Sequence, residues 1–281
     1  MTTKRPRRDL VFLAAVLLVL SAMSPLVRAQ ETGANNTALA PAEVERIIKS
    51  FTTKESQFRR ALNEYSFKRD AVLQSLGMGG QITGEYHRVS LFTFDDQGNR
   101  FEKINYFPMP SFQAVTQEDL DDLGGIQPFA LEPAKIPQYD IKYVGRDKID
   151  ELGLFVFDVS PKVMPDPKKS KERFFMGRIW VDDQDLQIVK TKGKGVPETK
   201  KNKFPTVETY REQIDGKFWF PTYSYADEEL IFDTGEVLHI RMKVRYSDFE
   251  LARAKVKIIE IDDPDAPKKD AKPPETVPRK P

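Results

Sequence analysis

The chain has 281 residues, with 44 Lys and Arg against 43 Asp and Glu, 20 Pro, two His and no Cys. With no thiol, and with His87 and His239 as its only imidazoles, it lacks the parts for a zinc finger, a Cys–His nucleophile, a c-type haem attachment or a disulfide framework. The near-zero charge argues against a nucleic-acid partner, and 40% apolar content with 11% aromatic is enough for a real core in one or two domains.

Residues 1–29 read as a secretion address. Lys4, Arg5, Arg7 and Arg8 precede an apolar run from Leu10 to Met23, and Val27-Arg28-Ala29 closes it with a small-residue cleavage pattern. The run falls short of the roughly 20 residues that span a bilayer, which predicts an exported, soluble protein with no stable transmembrane segment once the signal is cleaved near Ala29. An uncleaved anchor is the alternative. Beyond residue 29 there are 39 basic against 42 acidic residues, a net charge of −3. Asn35-Asn36-Thr37 fits the N-glycosylation pattern, which matters only in a eukaryotic secretory route.

Residues 30–40 read as a flexible linker. From Pro41 the apolar residues Val44, Ile47, Ile48, Phe51, Phe58 and Leu62 recur at helical steps, and Pro41 suits a first turn. The polar stretch Thr52-Thr53-Lys54-Glu55 weakens that stripe, so either a bend or two shorter helices would fit.

After Tyr65 the period changes to two. Strands are predicted over Tyr65–Ser75, Gly84–Phe94, Arg100–Phe107, Tyr139–Arg146, Leu154–Pro161, Arg173–Val181, Gln187–Gly193, Thr206–Ile214, Lys217–Asp227, Leu230–Phe232 and Glu236–Glu250. Between them lie turn clusters such as Asp95-Asp96-Gln97-Gly98, Asp182-Asp183-Gln184-Asp185 and Asp215-Gly216. Short loops of this kind join antiparallel neighbours, and a meander this long must curl or close. The segment between Pro108 and Pro137 interrupts the series with a capping box at Thr116-Gln117-Glu118-Asp119 and a short amphipathic piece, to be read as a lid or a packing plug. Residues 262–281, rich in Pro and Lys, carry too little apolar surface to offset their ordering entropy and read as a disordered tail.

A search for catalytic chemistry finds little. There is no G-x-S-x-G elbow or H-E-x-x-H, and Gly77–Gly80 lacks the Lys and Ser/Thr of a phosphate loop. The acidic groups at Asp119-Leu120-Asp121-Asp122 and Asp182–Asp185 read as a helix start and a hairpin turn rather than calcium loops. A hydrolase would need two acids facing one another across a buried cleft, so the expectation is a protein without enzymatic activity and without a cofactor.

The informative feature is apolar character on both faces of several strands: Leu154-Phe155-Val156-Phe157, Phe174-Phe175-Met176, Ile179-Trp180-Val181 and Phe218-Trp219-Phe220. Half-solvated antiparallel strands alternate, so these must be covered on both sides. Two readings stay open. The chain's own helices fill the inner face, or that face holds an apolar pocket sized for acyl chains.

The run Arg173 to Lys190, with Gly177-Arg178-Ile179-Trp180-Val181-Asp182 and then Ile188-Val189-Lys190, resembles a hairpin of the LolA/LolB family of outer-membrane lipoprotein-sorting proteins. Tyr143-Val144-Gly145-Arg146 followed by Phe155-Val156-Phe157-Asp158-Val159 is similar to the adjoining hairpin. The resemblance implies a mainly β fold with helices (α+β) over residues 41–261: a half-closed antiparallel β-barrel wrapped around an N-terminal helix and a short lid helix. It implies a periplasmic carrier that shields the acyl chains of a lipoprotein or lipid on the way toward the outer membrane, with an envelope acceptor protein as a further partner. The expected cavity residues are Phe155, Phe157, Phe174, Trp180 and Phe220, with Leu120 and Leu123 on the lid. The rival reading is a sensor or scaffold of the same fold that binds a protein.

Overall fold

The computed structural model describes residues 39–111, 131–169, 172–200 and 202–252. The signal segment and its cleavage point, Asn35, the capping box at Thr116, the lid residues Leu120 and Leu123, and the tail from 262 all lie outside the described residues.

One long helix, α1 (Pro41–Leu62), opens the fold, with Pro41 in its first turn. The polar stretch in its middle does not divide it. Thr52 and Thr53 return their hydroxyls to the Lys49 carbonyl at 3.1 and 2.8 Å, and Glu55 is buried on the apolar stripe with Ile47, Phe51, Phe58 and Leu62. No helix among the described residues is long and apolar enough to cross a membrane.

Ten strands follow: β1 (Tyr65–Leu76), β2 (Ile82–Phe94), β3 (Arg100–Tyr106), β4 (Tyr139–Ile149), β5 (Leu152–Pro161), β6 (Phe174–Asp182), β7 (Ile188–Val196), β8 (Val207–Ile214), β9 (Phe218–Ile231) and β10 (Val237–Leu251). They form one antiparallel sheet in the order β3-β2-β1-β10-β9-β8-β7-β6-β5-β4, so the sheet is not closed and β3 and β4 are its edges. A mainly β, half-closed architecture with an N-terminal helix is therefore what the chain adopts. One boundary differs from expectation: the acidic run Asp227-Glu228-Glu229 does not break a strand, and β9 passes straight through it. Asp227 sits on the outer face and takes His239 and Arg241 of β10, while Glu228 accepts the Thr206 N–H at 2.6 Å. Cross-strand pairing absorbs the charges that read as a turn.

The sheet curls around α1. On the inner face Phe51 meets Phe157 of β5 and Phe58 meets Phe220 of β9, each with ring centroids 5.7 Å apart. Rows of paired residues show that the helix crosses the sheet obliquely. Its end at Leu62 lies beside Tyr65 at one end of β1, whereas Phe157, under Phe51, shares a cross-strand row with Ile179, Thr191, Thr209, Ser224, Val244 and Ala71. Between those contacts Glu55 binds Arg211 of β8 through two bonds of 2.6 and 3.1 Å.

Tyr246 of β10 lies on the inner face beside Phe67, and burial pushes its hydroxyl up to about 12. A tyrosine ionises near 10 in an unfolded chain. The folded form resists losing that proton, so its contribution is fully present below pH 10 and is lost as pH rises toward 12. Tyr65, raised to about 12 by burial and then by its bond to Asp215, acts in the same window. Thermal unfolding followed from pH 9 to 12 should show a steep loss of stability that Tyr246→Phe makes shallower. An unchanged slope in that variant would place the titration elsewhere.

Candidate ligand-binding face

The strands that read as apolar on both faces do divide between two clusters. On the inner face Phe155, Phe157, Val159, Phe175, Ile179, Val181 and Ile188 pack with Ile47 and Phe51 of α1. On the outer face Leu154, Val156, Trp180 and Val189 form a small separate cluster with Trp219 packed against it. Alternation along β5 and β6 sends neighbours to opposite sides, which is why the sequence showed no wet face there.

Of the expected cavity residues, Phe155 and Phe157 come together in the cluster on the N-terminal half of α1, and Phe174 joins that cluster from the start of β6, against the Tyr139 ring at 5.6 Å. Phe220 lies on the same face in a second cluster, with Phe58, Leu62, Tyr65 and Phe67. Trp180 is not with them. It pairs with Val156 on the outer face, donates its indole N–H to Asp147 at 2.9 Å and carries the Lys190 ammonium 4.8 Å over its ring. Phe157 and Phe220 are wholly buried, and the rings of α1 occupy the space in front of both.

The inner face continues past the helix. Leu73 on β1, Tyr86 on β2, Ala226 and Leu230 on β9, and Ile240 and Met242 on β10 line a buried, mostly apolar corner, in which Ser75 stands opposite Ile240 and Glu228 lies between Ala226 and Leu230. Leu73 stands eight positions along β1 from Tyr65, where α1 ends, or about 26 Å at strand rise. The ring contacts of α1 lie at Phe157 and Phe220, not here. These residues were missed because β1 and β10 alternate cleanly, Phe67-Arg69-Ala71-Leu73 and Ile240-Met242-Val244-Tyr246 facing inward. The signal was present as an ordinary one-sided strand.

Toward β3 the same face turns charged. Glu102 takes Arg69 at 3.1 Å and Arg88 at 2.7 Å, and Arg100 lies over the Phe67 ring while donating to the Leu62 carbonyl at the end of α1. The chain then runs back along β2, where the Ser111 N–H reaches the Glu85 carbonyl and Ser111 Oγ accepts the Glu85 N–H. It is described again from Leu131, buried against the α1 cluster, with Glu132 bound to Arg59 of the helix.

Asp182, in the acidic turn, is raised by burial, yet its carboxylate accepts the Gln184 and Asp185 N–H groups and so closes the β6–β7 turn. A groove of about 750 Å³ of mixed character lies where β9 and β10 part, lined by Ile214, Tyr246 and Phe249 as well as Glu212, Asp215 and Arg245.

LolA-superfamily structures are among those similar to this chain. The matches include a DUF1329 family protein from Desulfovibrio piger, at 14% identity and a TM-score of 0.38 over 75% of this chain and 94% of that one. A LolA superfamily protein from Nitrosomonas europaea matches at 12% and 0.30, over 71% and 93%. A domain from Vibrio parahaemolyticus described as an outer membrane lipoprotein-sorting protein matches at 12% and 0.33, over 72% and 93%. No family model matches the sequence, and no curated protein does. At these values the likeness assigns no residue a role.

Proposed function

We propose that the protein is an exported periplasmic carrier that shields acyl chains of a lipoprotein or lipid against the inner face of its sheet for transfer toward the outer membrane. The observation that carries this reading is the mostly apolar corner formed by Leu73, Tyr86, Ala226, Leu230, Ile240 and Met242, on the face that α1 crosses but away from its ring contacts. Such a surface needs neither acid nor base. It takes alkyl groups out of water at about 0.8 kcal/mol per methylene. Phe155, Phe157 and Phe220 then serve as the packed floor beneath the helix, and the corner as the surface that meets cargo.

Lipid extraction and mass spectrometry of protein purified from its native envelope should yield an acylated species. In solution, Ala226→Phe should fill part of the corner, exclude about two methylenes and weaken capture of a fluorescent fatty acid about tenfold, with circular dichroism unchanged. Trp180→Phe, on the outer face, should leave capture intact. Undiminished capture by Ala226→Phe would put the acyl chains elsewhere.

One observation favours the rival, a protein-binding scaffold. Edge strand β3 and the residues after it expose Phe101, Ile104, Tyr106, Phe107 and Met109 beside a backbone edge that no other strand among the described residues pairs, the kind of edge to which partner strands add. A chain that retains no lipid but loses an envelope protein partner on Ile104→Lys would be the scaffold.

A further inference from the structure

The outer face carries an ordered surface that the carrier reading does not use. One row of directly paired residues runs across five strands: Trp180, Lys190, Tyr210, Tyr223 and Arg245. The next row on the same face is Arg178, Lys192, Glu208, Tyr225 and Lys243. Two rows therefore hold five cations, four aromatic rings and a single carboxylate. Asp158 of β5 takes Arg178, and Glu208 takes both Lys190 and Lys192, at 2.6 and 3.3 Å. Burial opposes ionising Glu208, but its bonds from Lys190 and Tyr210 outweigh this and hold it down to about 2, so it stays a carboxylate. Lys243 and Arg245 are exposed and meet no carboxylate among the described residues. Arg245 lies 5.8 Å over the Tyr223 ring, which stacks on Tyr225 at 6.4 Å.

This concentration of positive charge occurs in a chain whose net charge beyond residue 29 is −3. Segregation of that kind fits an anionic partner. The face is a broad β surface, not a cleft, and its two rows contain no Asn or Gln to bond sugar hydroxyls. Tyrosines among lysines and arginines are the side chains that settle at a lipid headgroup layer, rings at the interface and cations toward phosphate. We infer that the outer face of β6–β10 is a docking surface for an anionic phospholipid bilayer. It points away from α1 and the apolar corner, so a chain docked there keeps its inner face free for cargo.

Flotation of residues 30–281 with vesicles tests this. Binding is expected to vesicles containing 30% phosphatidylglycerol, not to pure phosphatidylcholine, and to fall at least tenfold between 50 and 500 mM NaCl. The double variant Lys243→Glu/Arg245→Glu, both exposed on β10, should lose binding at least tenfold while keeping its circular dichroism and its fatty-acid capture. Tyr223→Ser/Tyr225→Ser should weaken binding and leave the salt dependence in place. Binding that is absent, indifferent to lipid charge, or unchanged in the Lys243/Arg245 variant overturns the inference, as does retention on envelope polysaccharide with no vesicle binding. Loss of fatty-acid capture alone would count against the carrier reading and not against this surface.

Discussion

Glu55→Ala should lower the unfolding free energy by about 3–5 kcal/mol, measured by urea titration at pH 7. Glu55 and Arg211 are 3% and 2% exposed, and two bonds join them between the middle of α1 and strand β8. Removing the carboxylate breaks a buried ion pair at the Arg211 guanidinium, which lies 4.7 Å over the Phe58 ring, and breaking such a pair is among the few changes that cost this much. Arg211→Leu should cost a similar amount by stranding Glu55. The double variant Glu55→Leu/Arg211→Leu should recover most of the loss, because two aliphatic side chains satisfy the same interface without desolvation. The surface pair Arg46–Glu43, at 56% and 38% exposed, provides the contrast: breaking it should leave the unfolding free energy almost unchanged. If Glu55→Ala were as mild as that, α1 would not be pinned to the sheet at its centre.

This pair also marks the limit of what could be read in advance. The strands were legible because alternation and turn chemistry repeat every few residues, and the ends of α1 were legible from Pro41 and the last apolar step at Leu62. Glu55 was not. A charged residue in an amphipathic stripe reads as a fault until its partner is known, and Arg211 lies 156 positions away. The same applies to Trp180. Its hairpin was recognisable, but in β6 a shift of one position decides between the inner and outer face, and the pairing irregularity between Trp180 and Val181 sits at that point. Aromatic type signalled burial correctly and said nothing about which side. The corner at Leu73 and Met242 escaped notice for the opposite reason: clean alternation marks an inner face, but whether a helix lies across that face depends on the oblique path of α1, which no local pattern encodes.

The two faces follow from one property of the sheet. With ten strands and a single described helix, the inner side cannot be covered uniformly, and the outer side of β5–β7 needs its own small cluster. Trp180 and Trp219 anchor that cluster by donating to Asp147 and Asp185. The outer face thus holds its cations and tyrosines in register through strand pairing, while the inner face varies from a packed floor under α1 to the mostly apolar corner beside it.

The second large effect is expected at Phe220. Its ring touches Tyr65 of β1 at 4.9 Å, Phe249 of β10 at 5.3 Å and Phe58 of α1 at 5.7 Å, and it is wholly buried. It also stands where the sheet parts: β9 and β10 pair only as far as Tyr223 and Arg245, although β10 runs on to Leu251 alongside β1. Beyond that point no backbone ladder joins the two strands, and the aromatic contacts of Phe220 with Phe249 and Tyr65 carry the connection. Phe220→Ala should therefore fall at the upper end of the 3–5 kcal/mol range for truncating a buried phenylalanine. Its loss should be local in hydrogen exchange, with amides of residues 246–251 losing protection while those of 239–245, held on both sides, keep theirs. Phe174→Ala, near the sheet's β4 edge and 7% exposed, should cost less. A cost below about 2 kcal/mol for Phe220→Ala, with residues 246–251 still protected, would show that the Tyr65–Asp215 hydrogen bond of 2.7 Å holds the seam without the ring.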